Sequence, residues 1–363
     1  MNSNYYVVIM AGGVGVRFWP VSKSDRPKQF IDILGTGKTL IQQTFDRFAA
    51  FCPVENIYVV TNLNYRDLVA EQLPQLKPGQ ILCEPYRKNT APCIAYANYK
   101  IRKRNPNATV VVAPSDHVVL KEDVFLKALG DAAEAATRNP WLVTLGIEPS
   151  YPNTGYGYIQ FDDRSADAAH PQLKKVKLFT EKPEYEMARS FVESGEFLWN
   201  AGIFIWSLPV IMTAFKKYLP EVDEVFAAYA DLLDTPQEAE GVEKTYVSCR
   251  NISIDYGVME KADNVYVVAG DFGWSDVGSW NSLYELLPKN TDGNAVVGAE
   301  PLTYESKGNL VRVPDGKIVV LQGLEDCIVV EDNGVLLVCK RTEEQRIRQF
   351  VEDVAREKGE RYV

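Results

Sequence analysis

Residues 7–30 read VVIMAGGVGVRFWPVSKSDRPKQF, and the way this stretch breaks decides the fold. An apolar, β-rich run from Tyr5 to Met10 stops at Ala11-Gly12-Gly13, with Gly15 close behind. Four cations follow within twelve residues: Arg17, Lys23, Arg26 and Lys28. Glycines let a backbone approach a ligand and aim N–H groups at an anion. Clustered cations offset several phosphate charges at once. The pattern implies a nucleoside polyphosphate held at the end of a first β-strand.

Working outward, further β runs occur at 56–61, 109–114 and 141–146, with helical patterns at 39–51, 65–74, 89–104 and 122–138. This βαβα alternation predicts a mixed, mainly parallel sheet with helices on both faces. Ligands on such sheets bind beyond the carboxyl ends of the strands. The loops at Gly12–Gly13, Glu84–Asn89 and Ser115–His117 should therefore converge on one edge. From about 151 two strands with a glycine-containing bend, a helix over 184–194 and the strand WNAGIFIW extend the sheet. Helices are expected over 209–218, 221–233, 237–247 and 279–286. After Pro288 come five short β runs and a charged helix over 342–358, a solenoid-like or hairpin appendage. No strict short repeat is visible there, which argues against a full β-helix. The expected division is a catalytic domain over 1–288 and a small β-rich domain over 289–363.

Composition narrows the function. The net charge of −10 argues against a nucleic-acid or anionic-membrane partner, which would call for a basic face. The N-terminus lacks the charged start and apolar core of a signal peptide, and no apolar run approaches the ~20 residues that span a bilayer. A cytoplasmic protein is expected. Six scattered cysteines without a CxxC pair, and only two histidines, His117 and His170, disfavour a zinc or iron site and a Ser–His or Cys–His nucleophile.

Two motif readings fail on single residues. After Gly13-x-Gly15 the third glycine of a dinucleotide fingerprint is replaced by Phe18, and Pro20 opposes a helix there. Gly37-Lys38-Thr39 ends like a phosphate-binding P-loop, but the required first glycine is Asp32. Asp116, in PSDH, and Asp276, in WSDVGSW, sit at loop positions where each alone could be a turn or capping residue. Paired, they could hold one hard cation such as Mg2+, which accepts few carboxylates plus substrate phosphates. Glu181-Lys182-Pro183 and Asn200 offer a carboxylate, an ammonium and an amide for a sugar phosphate, or simply a surface turn and a buried amide.

Taken together, AGGVGVRFWPVSKSDRPKQF, EPYRKNTAP (84–92), PSDH (114–117), TGYGYI (154–159), EKP (181–183), WNAGIF (199–204), SIDYGVME (253–260) and WSDVGSW (274–280) resemble the mannose-1-phosphate guanylyltransferases. The resemblance covers about 11–280. It implies a Rossmann-like, GT-A-like nucleotidyltransferase fold and the reaction of GTP with mannose 1-phosphate to GDP-mannose and pyrophosphate, with Mg2+. By the family pattern Ala11, Gly12, Gly13, Gly15, Arg17 and Lys28 surround the triphosphate, Arg17 and Lys28 serving catalysis. Glu84, Lys88, Asn89 and Thr90 lie near the nucleotide, and Asp116 and Asp276 bind the metal. Gly157, Glu181, Asn200 and Gly202 face the sugar, with Lys182 on its phosphate. The chain departs at Lys88, where many members carry arginine, and at Ala201, where serine is common. An appended β domain often mediates dimers in relatives, so a homodimer is an expectation. Long bacterial relatives carry a fused phosphomannose isomerase; the residues after Leu287 contain no histidine, and no isomerase activity is expected. Two other readings are a nucleotidyltransferase for another sugar or nucleotide, and a silent paralogue that binds GDP-mannose. Retention of Arg17, Lys28, Asp116 and Asp276 together argues against the silent paralogue.

Overall fold

The computed structural model describes residues 2–13, 17–165 and 172–363; Gly15 and His170 lie outside the described residues. Contacts divide the chain into two compact units. The first is Met1–Gly12, Phe45–Ser115 and Val119–Trp274; the second is Gly13–Thr44, Asp116–Val118 and Ser275–Val363. The unit that carries the late short strands thus also takes in the segment behind the glycine loop and the residues after Ser115.

The strands up to Ser275 are β1 (Tyr5–Met10), β2 (Ile57–Asn62), β3 (Ile81–Glu84), β4 (Thr109–Pro114), β5 (Val118–Val119), β6 (Leu142–Ile147), β7 (Gly157–Asp162), β8 (Leu173–Glu181), β9 (Phe197–Ser207), β10 (Val265–Ala269) and β11 (Trp274–Ser275). Nine of them form the sheet of the first unit, in the order β3-β2-β1-β4-β9-β6-β10-β8-β7. β3, β2, β1 and β4 pair parallel, as do β6 and β10. β9 is antiparallel to β4, β6 and β7, and β8 is antiparallel to β10 and β7. Seven strands therefore point one way and only β8 and β9 run against them. All six residues of β2 are buried, the mark of a strand covered on both faces.

The helix Thr90–Arg104 shows what covers the sheet. Ala91 through Ile101 are all buried, so it is an interior helix rather than an amphipathic one. Lys100 is tolerated within it because Asp234, at 2.9 Å, and Glu238 both pair with its ammonium. The helix expected over 221–233 is α-helical only for Pro220–Ala228, followed by a 3-10 turn at Ala230–Leu232. SIDYGVME forms a π-helical turn at Asp255–Met259.

In the second unit β12 (Ala295–Gly298), β14 (Leu310–Val313) and β16 (Cys327–Asp332) stack in parallel, with β17 (Val335–Lys340) antiparallel at the edge. β13 (Leu302–Tyr304) and β15 (Val320–Gln322) form a second, parallel pair. Ala295 registers with Leu310 and Leu310 with Ile328, so successive turns are 15 and 18 residues long. This is a short β-helix, more ordered than the absence of a strict repeat suggested. Its corner is an asparagine ladder. Asn294 Oδ1 accepts from the backbone N of Asn309 at 2.9 Å, and Asn309 Oδ1 accepts from that of Cys327 at 2.9 Å. The C-terminal helix is α-helical only from Ile347 to Lys358, after a 3-10 segment Arg341–Arg346 in which Glu344 accepts from Asn281 N at 2.9 Å.

Candidate active site

In the second unit Lys28 opens a single 3-10 turn, Lys28–Phe30, whose three residues are all buried, with its Nζ 6.0 Å from the centre of the Phe18 ring. Only 9% of the side chain is exposed, and its Nζ has three acceptors. These are Asp116 Oδ2 at 2.9 Å and the carbonyls of Asp276 at 2.7 Å and Val277 at 3.0 Å. Val277 adopts φ 42°, a costly conformation for a β-branched residue. Asp276 Oδ1 accepts from Gly278 N at 3.0 Å, which fixes the turn. Burial disfavours the Asp116 carboxylate, but Lys28 and His117 outweigh it and hold its carboxyl below the usual range.

Lys28, Asp116, His117 and Asp276 line a cavity of about 280 Å3 together with Gly13, Arg17, Phe18, Gln29, Gly278 and Arg348. Arg17 Nη1 reaches Gly278 O at 3.5 Å, and Gln29 Nε2 donates to Gly13 O at 3.0 Å. Space beside Gly13 is open. Arg348, from the C-terminal helix, was not singled out by sequence, since its position 320 residues beyond Lys28 gives no local signal. Among the described residues no group of three or more His, Cys, Asp or Glu side chains could hold a metal alone. Asp116 and Asp276 nonetheless share this cavity. Two carboxylates fit an ion that takes its other ligands from phosphates and water.

The first unit holds the remaining candidates, in two groups. Ala11 is buried, its carbonyl accepting from Thr61 Oγ1 at 2.9 Å. A Cβ on Gly12 would lie 3.3 Å from Glu84 Oε2. Glu84, at the end of β3, is itself buried, and Tyr246 Oη donates to its Oε1 at 2.9 Å. Burial raises the Glu84 carboxyl to about 7 despite that bond. Asn89 has φ 69° and its side chain accepts from Thr90 N at 2.9 Å, opening the buried helix. Thr90 Oγ1 in turn accepts from Ile254 N at 2.8 Å, and Lys88 O from Ile252 N at 3.2 Å.

The second group gathers Gly157, Glu181, Lys182 and Asn200. Gly157 and Glu181 are cross-strand partners, and a Cβ on Gly157 would lie 2.5 Å from Glu181 Oε2 and 3.3 Å from Asn200 Cβ. Glu181 pairs with Lys182, which takes φ 49° as it leaves β8. Burial works against the Lys182 ammonium, but Glu181 and Asp255 raise its pKa above the ordinary value. Asn200 Oδ1 accepts from Thr144 Oγ1 and from Gly202 N, both at 3.1 Å, and its Nδ2 donates to Asp255 Oδ1 at 3.1 Å. Gly202, at φ 68°, thus supports Asn200 through its backbone. Asp255 lies in SIDYGVME, a segment the sequence singled out without giving Asp255 a role. Burial first, then the Glu181 charge, raise its carboxyl to about 7. The π-turn that delivers it carries no sequence signature, though such turns recur at functional sites.

The model of the nucleotidyl transferase family matches residues 6–293. With the sheet described above, that match defines the class: this is an α/β nucleotidyltransferase, and such enzymes generally use a divalent metal. Mannose-1-phosphate guanylyltransferase of Escherichia coli K12 is 35% identical over 357 residues, 97% of this chain and 74% of that protein. Alginate biosynthesis protein AlgA of Pseudomonas aeruginosa is 35% identical over 351 residues, 96% of this chain and 71% of that one. The crystal structure of a mannose-1-phosphate geranyltransferase, so named, from Thermus thermophilus is 30% identical. It covers 97% of this chain and 99% of that chain with a TM-score of 0.86. The chain belongs to the mannose-1-phosphate guanylyltransferase family. No helix among the described residues is long and apolar enough to cross a membrane.

Proposed function

We propose that this chain transfers GMP from GTP to mannose 1-phosphate, giving GDP-mannose and pyrophosphate. The observation that carries the proposal is the buried Lys28 ammonium beside Asp116 and Asp276, in a cavity also lined by Arg17. That donor set suits a polyphosphate with a hard cation, in a chain 35% identical to named guanylyltransferases.

The nucleophile needs no base. A sugar phosphate has its second pKa near ~6, so at neutral pH it is largely a dianion that can attack the α-phosphorus directly. The protein's tasks are alignment, relief of repulsion between anions and stabilisation of the charge on departing pyrophosphate. Arg17 and Lys28 supply fixed positive charge to the triphosphate. The open space beside Gly13 leaves backbone room for its close approach. Glu84, Lys88, Asn89 and Thr90 serve the nucleotide. A Glu84 carboxyl near 7 is available in either protonation state at neutral pH, so it can donate to or accept from a base edge. Gly157, Glu181 and Asn200 face sugar hydroxyls, and Lys182 takes the sugar phosphate. Asp255 holds Asn200 and adds a second acceptor.

Asp116 and Asp276 would hold Mg2+, which supplies Lewis-acid charge to phosphate oxygens. The test is a panel of nucleoside triphosphates and sugar 1-phosphates assayed for pyrophosphate with and without Mg2+. GTP with mannose 1-phosphate should give the highest kcat/KM, and only with the metal. A higher value for another pair, or full activity in chelator, overturns the proposal.

A further inference from the structure

We propose that Arg348, on the C-terminal helix, binds the phosphate tail of the nucleoside triphosphate and, in the reverse reaction, free pyrophosphate. The proposal rests on the reading of the second unit's cavity as a polyphosphate site. Arg348 lines that cavity with Gly13, Arg17, Lys28, Asp116 and Asp276.

Three observations support it. The first is electrostatic: the cavity's lining carries three cations against two carboxylates, so without Arg348 its formal charges cancel. Lys28 already has three acceptors and Arg17 reaches Gly278 O, whereas the Arg348 side chain makes no hydrogen bond or ion pair among the described residues. Second, the neighbouring arginines are engaged elsewhere. Arg341 bonds Asn281 Oδ1 at 2.7 Å and Asp326, Arg346 lies over Phe350, and Arg356 pairs with Asp353. A merely solvated arginine face does not explain why the one without a partner lines the cavity.

Third, the backbone that carries Arg348 is fixed. Ile347 is 2% exposed, and Phe350, Val351 and Val354 pack on the same core as Phe18 and Trp280. Glu344 anchors the preceding turn to Asn281 N. A planar guanidinium on such a support suits two-pronged binding of phosphate oxygens.

The experiment compares Arg348→Ala and Arg348→Lys with the unaltered chain. For the alanine variant KM for GTP, and for pyrophosphate in the reverse direction, should rise roughly tenfold or more, the scale of one charged hydrogen bond. KM for mannose 1-phosphate should stay within about twofold of the unaltered chain, and lysine should restore part of the loss. Calorimetric titration with inorganic pyrophosphate and Mg2+ gives a readout independent of turnover, with a matching loss of affinity. Because the side chain is exposed and its neighbours hold the helix, the alanine variant should melt with the unaltered protein. Unchanged KM for GTP and unchanged pyrophosphate affinity in a folded alanine variant overturn the inference while leaving the guanylyltransferase reading intact. Weakened pyrophosphate binding in a protein that never consumes GTP overturns that reading and leaves the inference standing.

Discussion

Replacing Lys28 by methionine keeps the apolar stem and removes only the ammonium. Three acceptors then lose their donor: Asp116 Oδ2, Asp276 O and Val277 O. Breaking a fully buried ion pair costs about 3–5 kcal/mol. The Asp116 side chain is 33% exposed, so water recovers part of this, and a loss of ~2–3 kcal/mol in folding stability is expected. Two carbonyls that share one ammonium also hold the turn at Val277, so the loss should appear as a lower urea midpoint. On the proposed function the effect on catalysis is larger in kind, because the same charge would serve the triphosphate. Removing one preorganised transition-state charge, taken on the scale of one such donor, lowers turnover ~10²–10³-fold. Steady-state pyrophosphate release, at protein concentrations corrected for folded fraction, measures it. A folded Lys28→Met protein with kcat/KM within about threefold of the unaltered chain refutes the assigned role of Lys28.

Three further substitutions probe the rest. Gly157→Ala puts a methyl 2.5 Å from the far end of Glu181, a side chain that can move. KM for mannose 1-phosphate should therefore rise about tenfold, on the scale of one displaced hydrogen bond to a charged group, with KM for GTP and the melting temperature little changed; an unchanged sugar KM counts against a sugar site there. Asp255 titrates near 7 when folded, against 3.8 for an ordinary carboxyl. The folded state therefore binds more protons than the unfolded one between about pH 4 and pH 7, and stability falls as pH rises through that window. Asp255→Asn should remove the fall, raising the melting temperature relative to the unaltered protein at about pH 8 but not at about pH 4; equal shifts at both would exclude a burial penalty on Asp255. Gly298 sits at φ 86°, with Val313 O well inside contact distance of where a Cβ would be. Gly298→Ala should destabilise by ~2 kcal/mol or more, because the obstacle is backbone, and an unshifted urea midpoint would argue against this β-helix corner.

What the sequence revealed follows from how local the cause was. β1 and β4 were legible because continuous apolar runs stop at turn residues, and the helix at Thr90 because Asn89 caps it. The Lys28 loop was legible because its cations lie within a dozen residues. The appendage was only half legible, since turns of 15 and 18 residues hide a shared Asn-and-apolar pattern from any fixed period. Glu84 was recognised, but not its burial against Tyr246, 162 residues away. Asp255, though inside the quoted SIDYGVME, was given no role, and Arg348 was not visible at all. One depends on a π-turn and on the Glu181 charge brought across the sheet, and the other on a helix end tied down by Asn281.

If the sugar phosphate is itself the nucleophile, no guanylylated enzyme forms. Incubating the protein with GTP, Mg2+ and radiolabelled pyrophosphate, first without and then with mannose 1-phosphate, tests this directly. Label should enter GTP only after mannose 1-phosphate is added. Exchange in its absence would mean that a protein group attacks the α-phosphorus first, and would contradict direct transfer.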